Sequence, residues 1–454
     1  MLRIKFDRGT LLIEGEKRQV DDLRLPGCVF DPRMGLWRAP ARCYREIITS
    51  LTRSDVEHED HAREYDELNL VSQLDREPFP YQKEAADTWD ENRRGVVVLP
   101  TGAGKTFVAQ MIMERVGRST IIVTPTIDLM NQWYSVLSTS FDIEVGLIGG
   151  GYYEPLPVTV TTYDSAYIHM ERLGRRFALI IFDECHHLPG PSYLMAADSS
   201  IAPYRLGLTA TPEREDGEEW RLEDAIGPIV YRREIKELAG DYLSEYETVR
   251  LTVRLGDDEK ERYQNERAIY LEFVRENRIS LSSQHGWPRF LMLSSRSEAG
   301  RRALLAYREQ KSIAQASPAK LRLLDRLLVQ HRRDRMLVFT SDNDTVYRIS
   351  RRFLIPAITH QTKVKERHEI LQRFNVGDHP FLVTSRVLNE GVDLPAANVG
   401  VVLSGSGSVR EHVQRLGRIL RRMKDKRAIL YEVISEDTAE EYTSSRRRRH
   451  SAYR

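Results

Sequence analysis

With 454 residues, 41% hydrophobic and 30% charged, the chain is long enough for roughly two to four domains with sizeable cores. Its 68 Lys and Arg against 67 Asp and Glu leave a net charge of +1, so bulk charge gives no reason to expect a nucleic acid, and any such case must come from local distribution. No apolar run approaches the roughly 20 residues of a membrane span, the alternating start Met1-Leu2-Arg3-Ile4-Lys5-Phe6 lacks the apolar core of a signal peptide, and the three isolated cysteines form no CxxC, which together point to the cytoplasm and away from zinc or a disulfide framework.

Residues 1–77 read as a small α+β module. The alternating segments 2–6 and 10–13 flank Asp7-Arg8-Gly9 and predict a hairpin, with a short helix near 44–51. The stretch 57–67 is densely charged and reads as a linker or a solvated helix. Within it His58 and His61 have i, i+3 spacing for a metal, but no further ligand accompanies them, and a solvated pair is expected.

From residue 78 to 230 strand and helix patterns alternate, with candidate strands at 96–99, 120–124, 158–162, 179–182 and 205–208. That alternation predicts a parallel sheet in an α/β domain. Residues 231–318 turn helical and strongly charged, and 257–277 suits an amphipathic helix covering another surface. From 319 to 454 the alternation returns, with strands at 336–340, 356–360, 381–384, 399–403 and 429–433. The Arg446-Arg447-Arg448-Arg449 run reads as a tail that can graze phosphates.

The chemistry starts at 96–112. A β-branched run breaks at Pro100 into Thr101-Gly102-Ala103-Gly104-Lys105-Thr106, and an amphipathic helix follows. Gly102 and Gly104 let successive backbone N–H groups turn inward around a phosphate, beside a helix N-terminus of about half a positive charge. Lys105 then reaches the β- and γ-phosphates and the Thr106 hydroxyl ligates Mg²⁺. A second apolar strand ends in Asp183-Glu184, about 80 residues downstream. Asp183 would hold Mg²⁺ through water, and Glu184 would orient or deprotonate the attacking water. Cys185 reads as a small packed residue. Just upstream of the glycine loop, Gln82 can read the donor and acceptor edge of adenine and Phe79 can stack on it. Gln414, Arg418 and Arg421 fall on one face of a predicted helix, where two permanent cations would meet a γ-phosphate. Thr209-Ala210-Thr211 follows a strand and can relay nucleotide state.

In this order the chain resembles a superfamily-two helicase motor. The motifs that carry the resemblance are Tyr81-Gln82, 101–106, Thr124-Pro125-Thr126, Asp183-Glu184-Cys185-His186, Thr209-Ala210-Thr211, Val338-Phe339-Thr340, Glu390-Gly391-Val392-Asp393 and 414–421, spanning about 79 to 435. The Leu99 that stands where a strict phosphate loop has glycine is typical of helicases. The resemblance implies an α/β fold with two RecA-like parallel-sheet domains, and ATP with Mg²⁺ as the cofactors. It adds Gly391 and Asp393 to the nucleotide side and couples His186 to Gln414. Nucleic acid would run across both domains, held by 124–126, 162–163 and 384–386, with Thr126, Tyr163 and Arg386 against the backbone of one strand.

The likeness narrows to xeroderma pigmentosum group B (XPB) helicases at Arg214-Glu215-Asp216, at 162–166 and at Gly405-Ser406-Gly407-Ser408. In that family a thumb-like helical insert would be 231–318 and a damage-recognition module 1–77. The compact chain looks like an archaeal or bacterial form. The implied function is a 3′→5′ DNA helicase or translocase in DNA repair (nucleotide excision repair) or DNA opening. Its substrate would be single-stranded, duplex or forked DNA, gripped in part by 214–216. A nuclease or repair-complex partner and a nucleoid-associated location in a prokaryote are implied as well. An ATP-gated DNA-opening clamp is the rival, and a restriction-type motor subunit is a third reading, opposed by the absence of a nuclease carboxylate cluster.

Overall fold

Leu2, Ile4, Leu11 and Ile13 alternate with polar residues, which turns one face of two short strands inward. Leu2–Asp7 and Thr10–Glu14 pair antiparallel around Arg8 and Gly9, both at positive φ (44° and 79°). The computed structural model describes residues 2–73, 75–214, 216–281, 283, 285–385, 397–405 and 428–447, so Glu215, Arg386, Gly391, Asp393, Gln414, Arg418 and Arg421 lie outside the described residues. These fall into two compact units, dividing after Arg233.

The N-terminal sheet has five strands, and the helix Tyr44–Arg53 covers it with Tyr44, Ile47 and Leu51 buried. Ile201, from the α/β domain that follows, completes its core, so the module is docked within the first unit. The charged stretch 57–67 departs from expectation. His58–His61 is a strand, pairing parallel with Leu2–Asp7. In a strand, residues i and i+3 point to opposite faces, so His58 and His61 cannot share a ligand. No group of three metal-ligating side chains occurs among the described residues. Beyond it the chain is bonded along the next domain, Glu64 N–H to the Arg175 carbonyl (2.9 Å), Leu68 to Gly117 (2.8 Å) and Gln73 to Ser140 (2.7 Å).

The first α/β sheet has the order Ile229–Arg232, Arg94–Val98, Tyr204–Thr209, Leu179–Asp183, Thr120–Thr124, Val158–Thr162, Gly146–Gly149, Tyr152–Glu154. All neighbours are parallel except the last pair. The central strands are made mostly of β-branched or apolar residues and are buried along their whole length, as a sheet covered on both faces requires. The carboxyl ends of Arg94–Val98, Tyr204–Thr209 and Leu179–Asp183 are adjacent, and ligands of open α/β sheets bind at such ends.

In the second unit six parallel strands run in the order Tyr246–Val253, Ala428–Ser435, Val399–Val402, Met336–Phe339, Phe381–Thr384, Ala357–Ile358. Residues 231–318 are therefore not uniformly helical. Tyr246–Val253 is an edge strand whose Val249, Leu251 and Val253 pack on the second core. Three helices follow it, Asp257–Glu276, Gly286–Ser294 and Glu298–Gln315, and bury Tyr270, Phe273, Phe290, Ala303 and Ala306 among themselves. Among the described residues no helix is long and apolar enough to cross a membrane.

Candidate nucleotide site

The glycine loop has the conformation its sequence demands. Gly102 (φ 88°) and Gly104 (φ 81°) occupy the left-handed region, and Gly104 caps the helix Lys105–Val116. A Cβ on Gly104 would sit 2.4 Å from Gln82 Nε2. Gln82 is buried, and its amide is spent inside the protein: Oε1 accepts the Phe79 N–H (3.0 Å) and Nε2 donates to the Ala103 carbonyl (2.9 Å). The Tyr81 hydroxyl donates to the same carbonyl at 2.8 Å. The sequence assigned Gln82 to adenine; in this structure its amide fastens the loop. Phe79 stacks on Tyr81, centroids 5.9 Å apart. Lys105 Nζ donates to the Leu99 carbonyl at 3.3 Å, and Thr106 lines a cavity with Arg76, Gly104 and Phe107.

At the neighbouring strand end Asp183 is buried with both oxygens engaged. Oδ2 accepts the Trp133 indole N–H (2.8 Å) and Oδ1 accepts the Glu184 N–H (3.0 Å). Burial, then the adjacent Glu184 charge, push its pKa up to about 6, against the Trp133 bond and the Lys105 charge, which pull it down. Glu184 has φ 47° and ψ 52°, a left-handed conformation that non-glycine residues adopt at a cost of about 1–2 kcal/mol. Trp133 was not singled out in the sequence, where it reads as one more apolar position of the helix Ile127–Phe141; a tryptophan there, with an N–H that must be satisfied once buried, was the available signal.

His186 is buried with Nδ1 3.0 Å from Thr209 Oγ1, which also accepts the Thr211 N–H (3.2 Å). Arg214 turns inward. Its guanidinium donates to the His186 carbonyl and holds Asp216 through two bonds, a pairing that brings the Asp216 carboxyl down to about 2. The Arg214 and Asp216 side chains are thus bonded to the box and to each other.

Thr126 caps Ile127–Phe141, its hydroxyl accepting the Leu129 N–H (3.2 Å), and Thr162 caps Tyr163–Leu173 in the same way through Ser165. Tyr163, expected against a nucleic-acid strand, is 1% exposed, and its hydroxyl donates to the Asp183 carbonyl at 3.1 Å. Packed against Phe182 and Tyr193, its ring serves the box and cannot reach a strand.

The residues fit a magnesium nucleotide. Among the buried side-chain oxygens with no hydrogen-bond partner are Thr101 Oγ1, Thr211 Oγ1 and Glu184 Oε2, the last 3.5 Å from His186 Nδ1, and they belong to the three segments that follow adjacent strands. Buried oxygens left so are costly unless a ligand or water uses them. With the Lys105 cation and the Asp183 carboxylate they form the donor and acceptor set that phosphates, a hard cation and a water require.

Three family models match the chain: the Type III restriction enzyme res subunit over residues 75–214, the ERCC3/RAD25/XPB C-terminal helicase over 302–452, and the xeroderma pigmentosum group B helicase damage recognition domain over 4–62. A DNA 3′-5′ translocase XPB2 of Sulfurisphaera tokodaii is 40% identical, the match covering 99% of this chain and 100% of that protein. A DNA 3′-5′ helicase XPB of Mycobacterium tuberculosis is 33% identical over 81% of this chain, which spans 62% of that longer relative. The yeast general transcription and DNA repair factor IIH helicase/translocase subunit XPB/SSL2 is 27% identical, over 43% of its length. Among solved structures the Pyrococcus furiosus Hef helicase domain superposes with a TM-score of 0.55 at 20% identity, covering 81% of this chain and 98% of that one, a likeness of fold.

Proposed function

We propose that this chain, which belongs to the XPB family of superfamily-two helicases, is an ATP-driven motor that moves 3′→5′ along DNA and opens duplex during repair. The observation that carries the chemistry is the junction of Lys105, Asp183 and Glu184 with the Thr101 and Thr211 hydroxyls that have no hydrogen-bond partner. Lys105 binds the β- and γ-phosphates, and Gly102 to Gly104 wrap them with backbone N–H groups. Thr106 and Asp183 hold Mg²⁺, which when bound neutralises charge building on the transferred phosphoryl oxygens. Glu184 orients the attacking water and takes its proton. Gln414, Arg418 and Arg421 are assigned to the γ-phosphate, with Gly391 and Asp393 beside the nucleotide. Phe79 and Gln82 flank the base, and transfer of the Gln82 amide from Ala103 to adenine would signal occupancy to the loop.

Thr126, Thr162 and Arg386 are assigned to the phosphates of one DNA strand, a contact without sequence readout. The restriction-subunit match covers the first α/β domain alone, while XPB-specific models match on both sides of it, which supports an XPB motor over a restriction motor. The yeast relative's name supports work inside a repair or transcription assembly, and a nuclease partner is a second candidate. We place the motor in the cytoplasm, on the nucleoid of a prokaryotic cell. The clamp reading is separated by strand displacement: a motor loses yield gradually with duplex length, whereas a clamp opens a fixed length per binding event.

The main test is ATP turnover with single-stranded, forked and duplex DNA and with RNA. DNA should stimulate the wild type, and Lys105→Ala and Glu184→Gln should each lower kcat by about 10²–10⁴. Glu184→Gln should still bind nucleotide. No stimulation by any nucleic acid would end the motor reading.

A further inference from the structure

The helix Ile127–Phe141 starts at Thr126 and, seven residues on, presents Trp133 to Asp183. That is about 10 Å of rigid helix between a residue assigned to DNA and the carboxylate assigned to Mg²⁺. Trp133 is 2% exposed, and Asp183 receives its N–H at 2.8 Å. The helix Tyr163–Leu173 repeats the arrangement. Thr162 caps it, and Tyr163, its first residue, donates to the Asp183 main-chain carbonyl at 3.1 Å. Two helices whose N-termini carry the assigned strand contacts thus both end their bonding on one residue, one at its side chain and one at its backbone.

We infer that Trp133 is a positioning residue through which DNA bound at Thr126 sets the orientation of the Asp183 carboxylate toward the magnesium ion. The inference rests on the motor reading and deepens it, since it names the connection by which DNA stimulates hydrolysis. A tryptophan this buried also packs, so its bulk and its N–H have to be separated. Phenylalanine keeps most of the bulk and loses the N–H. The sulfur isostere benzothienylalanine, incorporated at position 133, keeps the bicyclic shape and loses only the donor.

The experiment measures Mg²⁺-dependent binding of a fluorescent ADP analogue, with and without single-stranded DNA, for the wild type, Trp133→Phe and the isostere. DNA affinity and ATP turnover are recorded alongside. In the wild type DNA should lower the Mg²⁺ concentration for half-saturation. In both variants that concentration should rise on the order of tenfold, as for loss of an outer-shell partner of a metal ligand, and DNA should no longer lower it. DNA affinity should stay within about twofold of wild type, because the strand contacts are untouched. A wild-type Mg²⁺ response in the isostere, with and without DNA, overturns the inference and leaves Trp133 a packing residue. So does a wild-type protein whose Mg²⁺ requirement ignores DNA. If Trp133→Phe does not fold, the isostere decides. Wild-type ATP turnover indifferent to every nucleic acid would defeat the motor reading itself, whereas turnover stimulated equally in wild type and isostere defeats only the coupling.

Discussion

Gly104→Ala tests the link between the phosphate loop and Gln82. At φ 81° an added Cβ costs about 1–2 kcal/mol by itself. It would also fall 2.4 Å from Gln82 Nε2, the movable end of a side chain, so the amide must swing away. Doing so breaks the 2.9 Å bond to Ala103, worth about 1 kcal/mol, and empties a buried donor of its partner. The total is roughly 2–4 kcal/mol. With Gln82→Ala already in place there is no amide to displace, and Gly104→Ala should cost only the backbone part, about 1–2 kcal/mol. Native-state hydrogen exchange of the amides in Lys105–Val116 reads the local opening free energy of this helix in a chain of several domains, where a single global transition is not expected. Equal costs of Gly104→Ala in both backgrounds would refute the clash and the coupling drawn from it.

Arg205 is wholly buried and its guanidinium donates to the carbonyls of Ser200, Ala202 and Ala225, with burial drawing its pKa down. Arg205→Met leaves those acceptors buried without a donor, and the first unit should lose about 3–5 kcal/mol, seen as a lower midpoint in urea; an unchanged midpoint would remove the anchor role. The Cys28 thiol is pushed up to about 12 by burial and by neighbouring Cys43, so its reactive thiolate is scarce at pH 8 and grows only as pH rises toward that value. Iodoacetamide at pH 8 should label Cys28 at least about a hundredfold more slowly than an ordinary thiol of pKa near 8.5, with the difference erased in urea. Peptide mapping checks it, and labelling at the free-thiol rate in the native protein would contradict it.

Much of the local geometry of the candidate nucleotide site was legible because it follows from neighbours in sequence. Positive φ at Gly102 and Gly104 follows from a turn between strand and helix, and Asp183 sits where an apolar strand runs out. Contacts across long separations were not legible. Trp133 lies 50 residues from Asp183, and the bond from Gln82 to Ala103, which fastens the loop, reaches across 21 residues. Edge strands failed for another reason. Tyr246–Val253 has one outward face carrying the exposed Arg250 and Thr252, so it lacks the apolar run that marks a central strand. His58–His61 contains no apolar residue at all and is a strand only because Leu2–Asp7 pairs with it. Pairing of that kind is a tertiary fact that local propensity does not encode.

The same long-range wiring explains why the motifs around the box act together. The Leu99 N–H donates to the Thr209 carbonyl (3.0 Å), and the Thr209 hydroxyl meets His186 and the Thr211 N–H. Arg214 returns to the His186 carbonyl, held by an ion pair to Asp216 that keeps the Asp216 carboxyl below the usual carboxylate range. Four segments separated by up to 115 residues (99 to 214) therefore close through hydrogen bonds over adjacent strand ends. Releasing one member breaks one or two bonds, roughly 1–3 kcal/mol. That is the size of the coupling free energies that link distant sites, about 1–3 kcal/mol. A much stiffer connection would not respond to a phosphate, and a looser one would not carry the response as far as Arg214. Through Arg214, the Arg214-Asp216 pair is thus bonded into the same network as Leu99, His186 and Thr209.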